Sequence, residues 1–260
     1  MPGFEAFLIG RFMVFTLILA RTGALVMTAP IFGSLAIPRR VRGLLAVTMS
    51  LLVTPVYLGS SVASVEHLGE YGRMLINEAL IGLLLGAGMN ILFAGIQVAG
   101  QVVSQMSGLS LADVFNPGFD EEVSVFSQLF YFLTLAVFVA VGGHRMLTEA
   151  LLQTFAWAPP GHAALGDDFL EVVCKLVSQS FALGIRAAAP VLIAMLLSTL
   201  VLGLISRTVP QINIISVGFG LNSILLIGVL LLSLGAVAWA FQEPVVDMLH
   251  ELQDSIVVSR

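Results

Sequence analysis

Three ionisable residues, Arg21, Glu78 and Arg186, stand inside or at the edges of long apolar runs of the sequence. A charge at membrane depth is costly, so such residues either pair to hold helices together or belong to a proton or ion pathway. A pathway usually needs several carboxylates, and here only Glu78 qualifies. Pairing of Glu78 with Arg21 or with Arg186 is therefore the favoured interpretation, and the sequence leaves the choice between the two arginines open.

A polar stripe runs along the third apolar segment and consists of Asn90, Gln97, Gln101 and Ser104. At 100° per residue these four side chains lie within about 60° of one helix face. Carboxamides in lipid need partners, so the stripe is expected to point inward or to another subunit. Two interpretations stay open: ordinary hydrogen bonding between helices, or a surface that faces water or a transported substrate.

The segment after this stripe, QMSGLSLADVFNPGFD, mixes helix-breaking residues with apolar ones. Gly108, Pro117 and Gly118 disfavour a continuous helix, whereas Leu109 and Phe115 need burial. A loop of this composition is expected to tuck into protein. It is either a re-entrant structural loop or a constriction that lines a pore.

The residue types used in catalysis or metal binding lack the required spacing. A single cysteine, Cys174, excludes an intramolecular disulfide and a cysteine-based metal cage, and the four histidines are widely separated. The sequence contains no nucleophile elbow, P-loop or dinucleotide-binding fingerprint. It therefore predicts a protein that is not an enzyme and that uses no cofactor and no metal.

The composition sets the class of protein. Of 260 residues, 58% are hydrophobic and 10% are charged, whereas soluble domains carry about 25% charged residues. This excludes an ordinary soluble enzyme and a disordered chain, and it predicts a protein that spans the lipid bilayer several times. The net charge of −5 gives no electrostatic support for a nucleic-acid partner.

Six apolar segments predict an all-α integral membrane protein, at residues 12–32, 44–58, 74–103, 123–141, 181–205 and 212–241. As helices the third and sixth would be about 45 Å long and the second about 22 Å, against a hydrocarbon thickness of about 30 Å. This mismatch predicts about six long hydrophobic helices, some broken, packed mainly against protein.

The loops add orientation and domain organisation. Arg39, Arg40 and Arg42 place the first loop in the cytoplasm by the positive-inside rule. The longest loop is expected at residues 142–175, with the breaker run APPG at 158–161. With no repeat and no linker, residues 1–260 are predicted to form a single integral membrane domain.

Five stretches resemble, in order and spacing, the family of the flagellar biosynthetic protein FliR, which has relatives in type III secretion injectisomes. They are ARTGALVMTAPIFG, IPRRVRGLLA, GLSLADVFNP, GGHRMLTEALLQTFAWAPPG and GLISRTVPQINIISVGF. The resemblance covers roughly residues 12–241. The turn SRTVPQIN at residues 206–213 is its most distinctive part.

The resemblance implies a structural and pore-forming subunit of the flagellar type III export gate, which passes unfolded subunits across the bacterial inner membrane at the basal body. It implies one copy of this chain in a helical hetero-oligomer with P-type and Q-type subunits, beside the B-type and A-type export-gate membrane proteins. Residues 1–175 would be P-like and residues 176–245 a Q-like hairpin. The alternatives are the equivalent injectisome subunit, a small-molecule transporter, and a scaffold that never lines the pore.

The resemblance also implies roles for individual residues. A plug in the closed pore is expected to include Gly108, Leu109, Ser110, Phe115, Asn116 and Pro117. Packing against other subunits is expected for Arg21 and, in the last turn, for Arg207, Pro210, Gln211 and Asn213.

Overall fold

The computed structural model describes residues 2–34, 37–58, 68–107, 124–165, 169–209, 217–232, 235 and 256–258. Within these residues the chain is almost entirely helical. The helices are α1 (Pro2–Thr28), α2 (Arg39–Tyr57), α3 (Leu68–Ser107), α4 (Val125–Ala140), α5 (Gly143–Trp157), α6 (Phe169–Thr208) and α7 (Val217–Leu232). Two short strands, β1 (Ala163–Leu165) and β2 (Ile256–Val258), pair in antiparallel orientation.

The prediction of an all-α membrane protein is confirmed, but the long helices are fewer than the six expected. In the described ranges, three helices are long and apolar enough to cross a membrane: α1, α3 and α6. The number rises to four if α4 and α5 count as one broken span. The second apolar segment forms a helix of only 19 residues that begins with three arginines and contains Pro55, and α7 has only 16 described residues.

The expected loop at residues 142–175 contains a helix that the sequence analysis missed. Helix α4 ends at Ala140, and Gly142 has a φ of 82°, a left-handed conformation that favours glycine. The chain then continues as α5, which buries Leu147, Leu151 and Phe155. These residues are spaced by four, so α5 is an amphipathic helix with one apolar face.

The chain divides into two compact units, each assembled from separate parts of the sequence. The first unit contains α1, α2, the first half of α3, α5, the start of α6 and the strand pair. In it, Thr16 hydrogen-bonds Tyr71, and Asn90 donates to the carbonyl of Thr28. Because later residues of α1 contact later residues of α3, these two helices run parallel.

Glycine allows α1 and α3 to approach closely. A Cβ atom at Gly82 would overlap with the carbonyl oxygen of Arg21, and one at Gly86 would overlap with the side chain of Thr28. Small residues at such positions bring helix backbones together in membrane proteins. The close approach also brings Glu78, one turn before Gly82, within reach of Arg21.

The second unit contains the rest of α3, α4, most of α6 and α7. The ring of Phe93 packs edge-on against Phe138, with centroids 5.6 Å apart. A Cβ at Gly95 would overlap with the carbonyl of Ser180, and one at Gly184 would overlap with the carbonyl of Gly95. Helices α3 and α6 are therefore in backbone contact at a glycine pair.

This contact predicts a position-specific cost of a single methyl group. Gly95→Ala should lower the free energy of unfolding by about 1–3 kcal/mol, because the new Cβ meets backbone atoms that cannot rotate away. Gly203→Ala is the matched control, since no atom lies within 4 Å of its added Cβ. Thermal melting of the detergent-purified chain measures both. Equal melting temperatures for the two variants would contradict the close contact.

Candidate functional site

A buried ion pair joins α1 and α3. The Nε of Arg21 lies 2.6 Å from Oε2 of Glu78. Both residues are completely buried. The sequence left two partners open for Glu78, and the structure selects Arg21. Arg186 is exposed on α6.

Helix α5 and the turn after it accept two further hydrogen bonds from the Arg21 guanidinium. Nη1 donates to Oγ1 of Thr154 at 3.1 Å, and Nη2 donates to the carbonyl of Ala158 at 3.0 Å. The guanidinium carbon also lies 4.3 Å from the ring centroid of Phe155, a distance typical of a cation–π contact. Three donors and one π face thus have partners within this chain.

Glu78 has a second partner in the same turn. Its Oε1 accepts a hydrogen bond of 2.8 Å from the backbone N–H of Gly161. Gly161 has a φ of 87°, a left-handed conformation that favours glycine. The breaker run at residues 158–161 therefore does more than end a helix, because it supplies a carbonyl to Arg21 and an N–H to Glu78. Here a turn glycine orients a backbone donor toward a buried carboxylate.

The cluster of Arg21, Glu78, Thr154, Ala158 and Gly161 joins three separate parts of the chain. Because Arg21 has no exposed surface, it lies inside this chain and not on a surface that another subunit could reach. The expectation that Arg21 packs between subunits is corrected accordingly. A buried pair with satisfied hydrogen bonds fixes helix register.

Among the described residues, no group of three or more histidine, cysteine, aspartate or glutamate side chains is placed to hold a metal ion. The arrangement of the cluster fits a structural role, since its charges are held by hydrogen bonds and enclosed by helices.

The polar stripe of α3 packs against neighbouring helices at several points. Asn90 donates to the carbonyl of Thr28 on α1. Farther along, the hydroxyl oxygen of Ser127 of α4 lies 3.0 Å from the carbonyl oxygen of Gln97 and 3.1 Å from Oε1 of Gln101, and its one proton can be donated to either acceptor. These contacts are the helix-to-helix hydrogen bonds that one of the two interpretations describes.

The remaining predicted site residues are Ser104 of the stripe, Arg207 in the last turn of α6, and residues outside the described ranges. Ser104 is buried near the end of α3. Arg207 is exposed in the last turn of α6. The predicted plug, at Gly108, Leu109, Ser110, Phe115, Asn116 and Pro117, lies outside the described residues, as do Pro210, Gln211 and Asn213.

The ion-pair partners Thr154, Ala158 and Gly161 were not among the predicted site residues. The available signal was the spacing of apolar residues in α5, which places Thr154 beside Leu151 and Phe155 on the buried face. A further polar link, between Ser198 of α6 and Asn222 of α7 at 2.6 Å, was also missed. Each pairing depends on contacts between distant parts of the chain.

The ion pair predicts a large loss of stability when one partner is removed. Arg21→Met should lower the free energy of unfolding by roughly 3–5 kcal/mol, because it leaves the carboxylate of Glu78 buried without its cation. Thermal melting in detergent, together with limited proteolysis, measures the loss. The control is Arg73→Met, since Arg73 is exposed on α3.

A double variant separates charge from packing. Arg21→Met combined with Glu78→Leu removes both charges and should recover part of the lost stability. If Arg21→Met melts like Arg73→Met, the cluster does not stabilise the fold.

Similarity to known proteins agrees with this architecture. Residues 12–248 match the protein family described as Bacterial export proteins, family 1. The flagellar biosynthetic protein FliR of Caulobacter vibrioides is 32% identical, over 93% of this chain and 94% of that protein. FliR of Escherichia coli is 30% identical, over 78% and 77%, and FliR of Bacillus subtilis is 28% identical, over 83% of each. The chain therefore belongs to the FliR family of bacterial export proteins.

Proposed function

We propose that this chain is a structural and pore-forming subunit of the flagellar type III protein export gate. Its membership in the FliR family supports a role in the flagellar export apparatus. In the proposal, one copy in the bacterial inner membrane joins P-type and Q-type subunits beside the B-type and A-type membrane proteins. The assembly passes unfolded flagellar subunits outward.

The observation that carries the pore proposal is the packing around residues 108–123. The hydroxyl oxygen of Ser127, near the start of α4, lies 3.1 Å from Oε1 of Gln101, near the end of α3. A Cβ at Gly100 would lie 2.8 Å from the Cα of Ser127. The end of α3 and the start of α4 are therefore held together. A sequence with apolar residues such as Leu109 and Phe115 between two helix ends held in this way suits a plug that seals by exclusion of water.

The uneven burial of the long helices supports assembly with other components. In the most apolar stretch of α3, 61% of the residues are buried within the chain, but in that of α6 only 28% are buried. Large exposed apolar surfaces indicate contact with lipid or with other proteins. In the proposal, separate P-type and Q-type subunits are such partners and pack against the P-like part, residues 1–175, and the Q-like hairpin, residues 176–245, of this chain.

Two alternatives are weaker. The relatives named above are flagellar proteins, which favours the flagellar gate over an injectisome. A small-molecule transporter is expected to present a charged site at the middle of the membrane. The buried carboxylate of Glu78 is instead paired on both of its oxygens.

Assembly is tested by co-purification from detergent. We expect the tagged chain to bring down P-type and Q-type subunits, and Arg207→Ala to reduce their recovery severalfold while the chain still inserts. Arg207 is a permanent cation in the last turn of α6, and Gln211 and Asn213 follow it closely in the sequence. Loss of a cation that a partner subunit desolvates leaves its partners unpaired. Arg73→Ala is the matched control at an exposed arginine of α3. Recovery of the chain alone would favour a transporter.

The plug is tested by deletion of residues 109–114. Together with the P-type and Q-type subunits, the variant should make cells leaky, seen as slowed growth and uptake of small solutes, because the apolar seal is lost. The same deletion expressed without partners is the control and should not leak. A leak without partners would place the pore inside this chain, and an assembled but tight variant would show that the loop is not the plug.

A further inference from the structure

The charged residues of α6 are distributed unevenly along the helix. Its first 17 residues, 169–185, include Glu171 and Lys175, and Arg186 follows directly. The next 20 residues, 187–206, contain no charged side chain, and Arg207 then stands in the last turn. Both Arg186 and Arg207 are exposed.

The distance between these two arginines matches the thickness of a bilayer. They are 21 residues apart in one helix, which corresponds to about 32 Å. The hydrocarbon layer is about 30 Å thick. The whole of α6 has 40 residues, or about 60 Å, so a single crossing cannot accommodate it without leaving much of the helix outside.

The exposed surface changes in composition at Arg186. Beyond it, most large side chains on the exposed side are apolar: Ile193, Leu196, Leu197, Leu200, Val201, Leu204 and Ile205. Before it, the exposed side chains include the charged Glu171 and Lys175 and the polar Ser178, together with the apolar Val177, Phe181 and Ile185. A surface that is uniformly apolar over one bilayer thickness suits lipid, and a mixed surface suits water or protein.

The backbone carbonyl of Arg186 lacks its usual hydrogen-bond donor within the helix. Pro190, inside α6, has no N–H to donate to the carbonyl four residues earlier, which belongs to Arg186. In hydrocarbon such a carbonyl lacks any alternative donor, whereas at the membrane surface water supplies one. The carbonyl and the guanidinium of Arg186 therefore favour the same location.

Helix α7 packs against the same part of α6. Ser198 donates to Asn222, and a Cβ at Gly218 would lie 3.3 Å from the side chain of Leu202. Because later residues of α6 contact earlier residues of α7, the two helices form an antiparallel hairpin. By this register, Leu232, the last residue of the described range 217–232, is level with residue 188, and this range carries no charge.

We infer that the lipid bilayer surrounds the α6–α7 hairpin between the levels of Arg186 and Arg207, and that α6 before Arg186 stands outside the hydrocarbon. The exposed apolar face of residues 187–206 is a lipid-binding surface, and the two guanidinium groups lie at the two headgroup layers. This inference rests on membrane integration of the chain and is independent of the pore.

Spin-label accessibility in vesicles of phosphatidylethanolamine and phosphatidylglycerol tests the boundary. The full chain, co-purified with its partner subunits, carries Cys174→Ser because Cys174 is exposed. Single labels are placed at Val177, Phe181, Leu197 and Val209, all exposed. We expect Leu197 to be reached by oxygen, which concentrates in hydrocarbon, and the other three to be reached by a water-soluble nickel complex.

Two results would overturn the inference. Oxygen-dominated accessibility at Val177 and Phe181 would move the bilayer across the first part of α6. Shielding of Leu197 from both reagents would show that a partner protein, and not lipid, covers the hairpin. Failure of the pore proposal alone would leave the accessibility pattern unchanged.

A matched pair of substitutions gives an independent readout. Phe181 and Leu197 are exposed to similar extents, 53% and 56%. Leu197→Arg should reduce the amount of chain recovered in membranes by about tenfold or more, because it places a cation at the centre of the hydrocarbon. Phe181→Arg should leave recovery unchanged. Equal losses in both variants would contradict the boundary.

Discussion

The buried ion pair between Arg21 and Glu78 is the constraint on which the first unit of the structure depends. Two opposite charges enclosed among apolar helices are tolerated only when each hydrogen-bonding atom has a partner. Meeting this condition requires that α1 and α3 approach closely at Gly82, and that Ala158 and Gly161 place a carbonyl and an N–H against the pair. One interaction thus fixes the register of two parallel helices and the path of the turn after α5.

Helix α6, most of which lies in the second unit, leaves more of its most apolar stretch unburied than α3 does. Helix α6 buries little of its most apolar stretch within this chain, so its stability in the cell depends on lipid and on other proteins. The boundary inferred at Arg186 assigns lipid to one part of that surface and leaves the part before it for an aqueous or protein environment. A subunit that divides its surface in this way can be anchored in a bilayer and still contribute to an assembly that extends beyond it.

Much of the fold was predictable because apolar length alone indicates helices in membranes. The segment at 74–103 falls within α3, and all but the last four residues of the segment at 12–32 fall within α1. The acid that needed a partner was identified as Glu78. The choice of Arg21 over Arg186 was not predictable, since it depends on which helices touch. Helix α5 was missed because the breaker run at residues 158–161 led to the prediction of a loop over the whole region 142–175. Gly161 was recognised as a breaker, but residue type does not indicate which backbone N–H groups donate to a buried side chain.

The central claim, that this chain lines the path of an unfolded substrate, is tested most directly by photo-crosslinking in the assembled gate. A crosslinking amino acid replaces Phe115 in the proposed plug, and an export substrate fused to a tightly folded domain is stalled in the gate. Leu197, exposed on α6, carries the same crosslinker as a control. The account predicts a crosslink to the stalled substrate from position 115 and none from position 197. A gate that holds a stalled substrate yet gives no crosslink from position 115 would contradict it.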